Sequence, residues 1–168
     1  MSDTTGVAFA AAIKANQTLQ TFTFNVDSTQ MGDPSGVALA NAVRENEALG
    51  SLSITTSERM GDVTVAAFAE AIKANTTLTR IHIYASESEN WTDAGVEALA
   101  GAMEANTTLE SVIFWLGSMQ LTDYSGVAFA NALRANQTLE SFHIQCLPMG
   151  DTSGAAFAIA IQANTTLQ

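Results

Sequence analysis

An aspartate recurs along the chain before each alanine-rich segment, and repeated carboxylates are residues that could carry acid–base or metal chemistry. The column comprises Asp33, Asp62, Asp93, Asp123 and Asp151. Each member stands where a helix is predicted to begin. There a carboxylate can cap free backbone N–H groups and is favoured by the helix dipole. We therefore interpret the column as helix caps rather than as a catalytic site.

The histidines and the cysteine are the other candidates for chemistry. His82 and His143 fall at the same position of strands two apart, about 10 Å from each other, whereas a zinc–nitrogen bond is about 2.0 Å long. Cys146 is the only cysteine, so no intrachain disulfide can form, and its place after Ile144 predicts a small buried residue. Neither a nucleophile elbow nor a phosphate-binding loop occurs. The chain is therefore predicted to be no enzyme and to bind no metal or cofactor.

Six Asn-x-Thr triplets could accept N-linked sugars if the chain is secreted. They begin at Asn16, Asn75, Asn90, Asn106, Asn136 and Asn164. Five of the six belong to a repeated Asn-x-x-Leu motif, which also occurs without the threonine as Asn46-Glu47-Ala48-Leu49. We favour a structural role for them, and a secreted, glycosylated protein stays the alternative to a cytoplasmic one.

That motif has a constant period, since successive asparagines lie 28 to 31 residues apart over the whole chain. After each leucine, apolar residues two apart predict a strand with one buried face. These pairs are Phe22 and Phe24, Leu52 and Ile54, Ile81 and Ile83, Val112 and Phe114, and Phe142 and Ile144. A polar loop follows, and then a helix from the aspartate to the next asparagine, whose tolerance of left-handed backbone would close the helix.

Helix and strand thus alternate in about five repeats, which predicts a single domain over residues 1–168. Strands stack about 4.8 Å apart and helices about 8–10 Å apart, so the stack must bend. The predicted fold is an α/β solenoid, a horseshoe with parallel strands on its concave face and helices on its convex face.

The Leu-x-x-Leu-x-Leu spacing, the period and the full helix per unit resemble the ribonuclease-inhibitor-like class of leucine-rich repeats. Segments 36–43 (GVALANAV) and 106–109 (NTTL) carry the resemblance. It implies the horseshoe fold, and it covers sensors, inhibitors, actin-capping tropomodulin-like domains and GTPase activators. The class places Asn or Cys three residues after the last strand leucine. Here that column reads Asp27, Ser57, Ser86, Gly117 and Leu147, so a missing or replaced ladder and looser loops are expected.

Neither end of the chain carries an evident polar cap, which repeat arrays normally need. The first helix has Val7, Phe9 and Ile13, and the last has Phe157, Ile159 and Ile161. Three interpretations stay open: a fragment of a longer solenoid, terminal helices that suffice alone, or ends that pair with other copies.

Large side chains are predicted on the concave face of the last three strands, after two strands with small hydroxyls. Such groups dominate protein interfaces. The predicted partner-binding residues are Arg80, His82, Tyr84, Ile113, Trp115, His143 and Gln145. The leading hypothesis is a non-enzymatic protein–protein interaction module. The alternatives are a subunit that self-assembles end to end and a GTPase-regulating module.

The net charge of the chain limits the kinds of partner that can be expected. The net charge is −11, from 17 acidic and 6 basic residues, which argues against nucleic acid and against anionic membranes. A protein partner with a basic surface is expected. The acidic loops at Glu58 and at Glu87 to Glu89 are most simply interpreted as solvated, and the functional alternative is a docking edge for that partner. The first residues lack the positive region of a signal peptide, which predicts a cytoplasmic protein.

Overall fold

Helices and strands alternate without exception in the described part of the chain. The computed structural model describes residues 1–26, 29–85, 90–117, 120–146 and 150–168. The helices are α1 Asp3–Ala15, α2 Asp33–Glu45, α3 Asp62–Ala74, α4 Asp93–Ala105, α5 Asp123–Ala135 and α6 Asp151–Ala163. The strands are β1 Thr21–Asn25, β2 Ser51–Thr56, β3 Arg80–Ala85, β4 Ser111–Leu116 and β5 Ser141–Cys146. The helix starts predicted at the aspartates are confirmed.

The strands form one parallel sheet in sequence order, β1-β2-β3-β4-β5. Equivalent positions of successive repeats pair directly, as Leu52 does with Ile81 and Ile81 with Val112. Each helix packs against its sequence neighbours on one side of the sheet. The predicted α/β solenoid, with strands on the inner face and helices outside, is confirmed.

The core lies between the sheet and the helices. Alternate strand residues such as Ile54, Ile83 and Phe114 are buried and form part of this core. The helices approach one another closely because small residues recur where they meet. A Cβ added to Gly36 would collide with the side chain of Thr64 on the next helix, so α2 and α3 could not pack this closely with any larger residue there.

The repeating asparagines join successive repeats through what we term the asparagine ladder, formed by Asn46, Asn75, Asn106, Asn136 and Asn164. In Asn106, Nδ2 donates to the carbonyls of Ile72 (2.7 Å) and Asn75 (3.2 Å) in the preceding repeat. Its Oδ1 accepts from the N–H groups of Thr108 and Leu109, which turn the chain into the next strand. The left-handed helix end expected from the sequence is wrong. Asn106 has φ −74° and ψ 139°, which is extended backbone.

The threonine of the Asn-x-Thr triplets is also part of this contact. Thr108 Oγ1 donates to the carbonyl of Leu78 at 3.0 Å, and Thr138 Oγ1 donates to that of Leu109 at 3.0 Å. Asn75, Asn106 and Asn136 are at most 4% exposed. The structural role that the sequence favours for these triplets is therefore visible in their hydrogen bonds.

The aspartates form a second link, the aspartate ladder of Asp3, Asp33, Asp62, Asp93 and Asp123. The prediction that each aspartate caps its own helix is wrong. Residue 32, 61, 92, 122 or 150 holds the N-cap position, and the aspartate is the first helical residue. Its carboxylate reaches the start of the next repeat instead. Asp33 Oδ1 accepts from Gly61 N (2.9 Å), Thr64 N (3.2 Å) and Thr64 Oγ1 (2.7 Å).

The loop column that departs from the leucine-rich-repeat class is described at two of its five positions. Ser57 is buried and its hydroxyl donates to the carbonyl of Met31, and Gly117 N donates to the carbonyl of Ala85 at 3.1 Å. Backbone and serine bonds thus replace the usual side chain there. Asp27, Ser86 and Leu147 lie outside the described residues, as do Glu87 to Glu89.

Across the described ranges, no helix combines the length and the apolar character needed to cross a membrane.

Candidate protein-interaction face

All seven predicted partner-binding residues lie on the solvent side of three adjacent strands, β3 to β5. We call this set the sheet-face patch: Arg80, His82, Tyr84, Ile113, Trp115, His143 and Gln145. Parallel pairing aligns its members in rows. His82 lies opposite Ile113, which lies opposite His143, and Tyr84 lies opposite Trp115, which lies opposite Gln145. The sequence therefore predicted both the face and the grouping of these side chains.

Aromatic rings form the centre of the patch. The ring centroids of Tyr84 and Trp115 are 6.0 Å apart at an interplanar angle of 42°. His82 meets Tyr84 edge-on, with centroids 6.5 Å apart at 88°. Trp115 nevertheless remains 45% exposed, while its neighbours Phe114 and Leu116 are buried in the core. A large apolar side chain is thus held in the open by a rigid strand.

The first two strands give the same face a different character. Thr23, Ser53 and Thr55 hold the corresponding positions with small hydroxyl side chains. The aromatic rows of β3 and β4 therefore stand above a lower, polar surface formed by β1 and β2. The large apolar side chains of the open face are therefore concentrated on one side of the sheet.

The charge state of His82 follows from its surroundings. Partial burial, with the positive charge of Arg80 second, lowers the pKa of His82 below its usual value of 6.5. The ring is therefore neutral near pH 7 and acts there as an aromatic and hydrogen-bonding group. The open-face positions, three on each of the five strands, include no Asp or Glu.

Ile113 stands between His82 and His143 in their row, so the structure does not bring the two imidazoles together. No group of three or more His, Cys, Asp or Glu able to hold a metal ion occurs within the ranges that the structure describes. The carboxylates of the aspartate ladder, from Asp3 to Asp123, accept hydrogen bonds from the following repeat. The side chain of Cys146 lies outside the description.

A groove between α4 and α5 is a surface feature that sequence reasoning missed. Its cavity of about 260 Å³ is lined by Glu97, Gly101, Glu104, Tyr124 and neighbouring residues. A Cβ added to Gly101 would meet nothing within 4 Å. The nearby Glu97 carboxylate raises the pKa of Tyr124 above its usual 10.0. The only sequence feature that indicates this groove is Gly101, which stands where the other helices carry a larger residue.

The fold and this face define a leucine-rich-repeat-like solenoid with an exposed aromatic surface on its sheet. Among solved structures, the chain is similar to leiomodin-1 actin-binding site 2, at 17% identity and a TM-score of 0.72, over 95% of this chain and 87% of that one. It is also similar to the C-terminal domain of a Caenorhabditis elegans tropomodulin, at 12% identity and a TM-score of 0.70, over 98% and 93% of the two chains. No protein-family model and no curated protein matches the chain.

Proposed function

We propose that this protein is a non-enzymatic interaction module that binds a protein partner on the sheet-face patch. The observation that carries the proposal is the pair of Trp115 and Tyr84, held 6.0 Å apart on a rigid sheet with Trp115 45% exposed. Trp, Tyr and Arg are the side chains that contribute most often to interface hot spots, and the patch has all three. The assignment of the repeats to the ribonuclease-inhibitor-like class stays a prediction.

The size of the effect follows from the area that these rings would bury. A buried aromatic side chain covers about 150–250 Å². Covering the exposed part of Trp115 alone would remove roughly 100 Å² from water, worth about 2.5 kcal/mol at about 25 cal/mol per Å². That is in the range of a hot spot and corresponds to a change in Kd of about 60-fold. The side chain needs little reordering because its strand is already fixed.

Site-specific photo-crosslinking can test whether this face is the binding surface. The variant Trp115→p-benzoylphenylalanine should capture a partner that Thr23→p-benzoylphenylalanine, on the same sheet face but outside the patch, does not capture. Actin is the first purified probe to include, because the leiomodin-1 neighbour is described as an actin-binding site. The captured partner is then titrated against the double variant W115A/Y84A.

We expect W115A/Y84A to weaken binding of that partner by at least 30-fold, and the matched control T23A/S53A by less than 3-fold. The circular dichroism spectrum of both variants should be unchanged, since none of the four side chains is in the core. Equal effects of the two double variants, or capture from position 23 but not from 115, would refute the proposed face.

A second candidate function is end-to-end assembly, which apolar side chains on the terminal helices favour. Ile159 and Ile161 on α6 are 57% and 60% exposed, and Val7 and Phe9 on α1 are also exposed. Six helices but only five strands lie in the described residues. Stacking α1 of one copy on α6 of another in register would therefore separate β5 from the next β1 by two strand spacings, about 9.6 Å. The contact would depend on the helices alone.

Light scattering during size-exclusion chromatography tests this second candidate. Assembly through the helices predicts a mass that grows with concentration and returns to one chain in I159E/I161E. A mass of one chain for the unmodified protein at every concentration up to about 100 µM would eliminate it.

We also propose that the protein works in a compartment where it is not glycosylated. The support is that Asn75, Asn106 and Asn136 use both donor positions of Nδ2 on carbonyls of the preceding repeat. A sugar on that nitrogen would remove these bonds. Expression with a secretory leader tests the proposal, as set out in the Discussion.

A further inference from the structure

We propose that the partner presents a basic segment whose lysine or arginine side chain lies over the rings of Tyr84 and Trp115, with a second positive charge at the acidic start of β4 and β5. This inference rests on the proposed function, because it names the chemistry of the partner for the same face.

The rings provide a surface for a cation. Cations are attracted to the faces of Trp and Tyr within about 6 Å of the ring centroid, and Trp is the strongest of these acceptors. Tyr84 and Trp115 are 6.0 Å apart and tilted by 42°, so a side chain resting on the exposed tryptophan also comes close to the tyrosine. The neighbouring His82 is neutral near pH 7 and does not repel such a cation.

Two carboxylates lie beside the patch at the other end of its strands. Glu110 and Glu140 are the residues directly before β4 and β5, and both are exposed. They are adjacent, because Glu140 N donates to the carbonyl of Glu110 at 2.8 Å. Arg80, at the start of β3, lies one row further along the strands, opposite Ser111. In the described residues the ion pairs join Lys14 and Arg44 to Glu45 and do not include Glu110 or Glu140.

Strand geometry sets the spacing of the two contacts. Trp115 is five residues from Glu110, which at about 3.3 Å per residue corresponds to about 16 Å along the strand. An extended partner segment covers about this distance with two basic residues six positions apart, because side chains an even number of residues apart point to the same side of an extended segment. A helix rising 1.5 Å per residue needs about eleven positions, or three turns. Arg80 is about 13 Å from the ring row by the same measure, beyond the screening length of about 8 Å at physiological salt.

The charge of the whole chain acts in the same direction. A net charge of −11 attracts basic segments and speeds their encounter with the protein. Each exposed charge pair alone changes affinity by no more than about 5-fold, and a cation on an exposed ring by about 2- to 5-fold. The combination predicts modest affinity for one short segment and clear selectivity for positive charge.

Matched synthetic peptides test the inference with the full chain. The probe is a twelve-residue Gly/Ser/Thr peptide with arginine at positions 4 and 10, and its control carries citrulline at both positions, which has nearly the shape of arginine without the charge. Binding is followed by nuclear magnetic resonance titration at 0.15 M salt. We expect the arginine peptide to bind about 10-fold more tightly than the citrulline peptide, with the largest shifts at Tyr84, Trp115 and Glu110.

Protein variants separate the contributions. W115L keeps an apolar side chain but removes the ring, so it should weaken the arginine peptide about 2- to 5-fold and leave the citrulline peptide nearly unchanged. E110Q/E140Q should weaken the arginine peptide several-fold. E70Q/E104Q on the helix surface changes the net charge by the same amount and should have an effect below 2-fold.

Equal binding of the arginine and citrulline peptides, or equal effects of the two glutamate pairs, overturns the inference about a basic partner. In that case the proposed face still stands if the crosslinked partner depends on Trp115 and Tyr84. If the crosslinked partner is insensitive to W115A/Y84A, the proposed face falls by itself.

Discussion

Replacing Asn106 by alanine should be among the most damaging single changes in this protein. The side chain is 4% exposed and makes four hydrogen bonds with backbone groups. Two go to the carbonyls of Ile72 and Asn75, and two come from the N–H groups of Thr108 and Leu109. Each is worth about 1 kcal/mol net, and an abandoned buried partner costs more. The free energy of unfolding should fall by about 4 kcal/mol, a large value for one substitution.

Urea denaturation measures this loss. With a slope of about 2 kcal/mol/M, the midpoint of the N106A variant should fall by about 2 M. Far-ultraviolet circular dichroism and tryptophan fluorescence should report the same midpoint if unfolding is two-state. The buried Trp91, whose indole N–H donates to the Met60 carbonyl at 2.9 Å, makes the fluorescence sensitive to the central repeats.

Asn16 provides the matched control at the first position of the same motif. It is exposed, and its Oδ1 accepts from the N–H groups of Thr18 and Leu19 at 2.9 and 2.7 Å, but its Nδ2 donates to no carbonyl of another repeat among the described residues. Because water can replace those two bonds, N16A should cost only about 1 kcal/mol. A loss in N16A as large as in N106A would refute the reasoning that the contact between repeats, rather than the local turn, makes the asparagine important.

The remaining predictions concern helix packing, acid and glycosylation. G36A should destabilise the protein because its Cβ would collide with Thr64, whereas G101A has open space and should stabilise α4 by about 0.5–1 kcal/mol; thermal melts compare the two. Hydrogen bonds from Ser35 and Ser153 hold the pKa of Asp3 and Asp123 below the usual 3.8. The stability that these hydrogen bonds contribute is therefore complete above that pH and is lost below it as the carboxylates protonate. The urea midpoint should decline between pH 5 and 2.5, and S35A and S153A should make this decline smaller. Folded protein made with a secretory leader should carry no sugar at Asn106, and glycopeptide mass spectrometry showing folded, glycosylated Asn106 would contradict the ladder.

The architecture was predictable because it depends on periodicity. Apolar residues two apart, as in Leu52 and Ile54, identify strands by a local rule, and an aspartate-to-asparagine helix of constant length follows each loop. Repetition also aligns Tyr84 with Trp115, since equivalent positions of neighbouring repeats must pair. The patch could therefore be proposed from spacing alone, and in the fold its side chains lie on the open face of the sheet.

The partners of the repeated polar residues were not predictable in the same way. Local capping rules assign Asp33 to the helix that it begins, but the carboxylate reaches Gly61 and Thr64 in the next repeat. They assign Asn106 a left-handed helix end, but its amide reaches Ile72 in the preceding repeat. A residue that recurs once per repeat can act within its repeat or between repeats with the same spacing. The sequence pattern does not distinguish these two cases, and only the distance between the stacked helices decides which partner the side chain reaches.

The asparagine ladder also explains why the exposed face can serve as a rigid surface. Asn106 and Asn136 fix the residues that enter β4 and β5, because each holds the N–H groups just before its strand and the carbonyls of the repeat before. Trp115 is nine residues from Asn106, so an error at the asparagine would shift the whole strand and the row that aligns the tryptophan with Tyr84. The exposed rings therefore depend on buried polar contacts for their position. N106A should consequently weaken partner binding even in conditions where the protein remains folded, whereas N16A, at a residue before β1 and two strands from the nearest strand of the patch, should not.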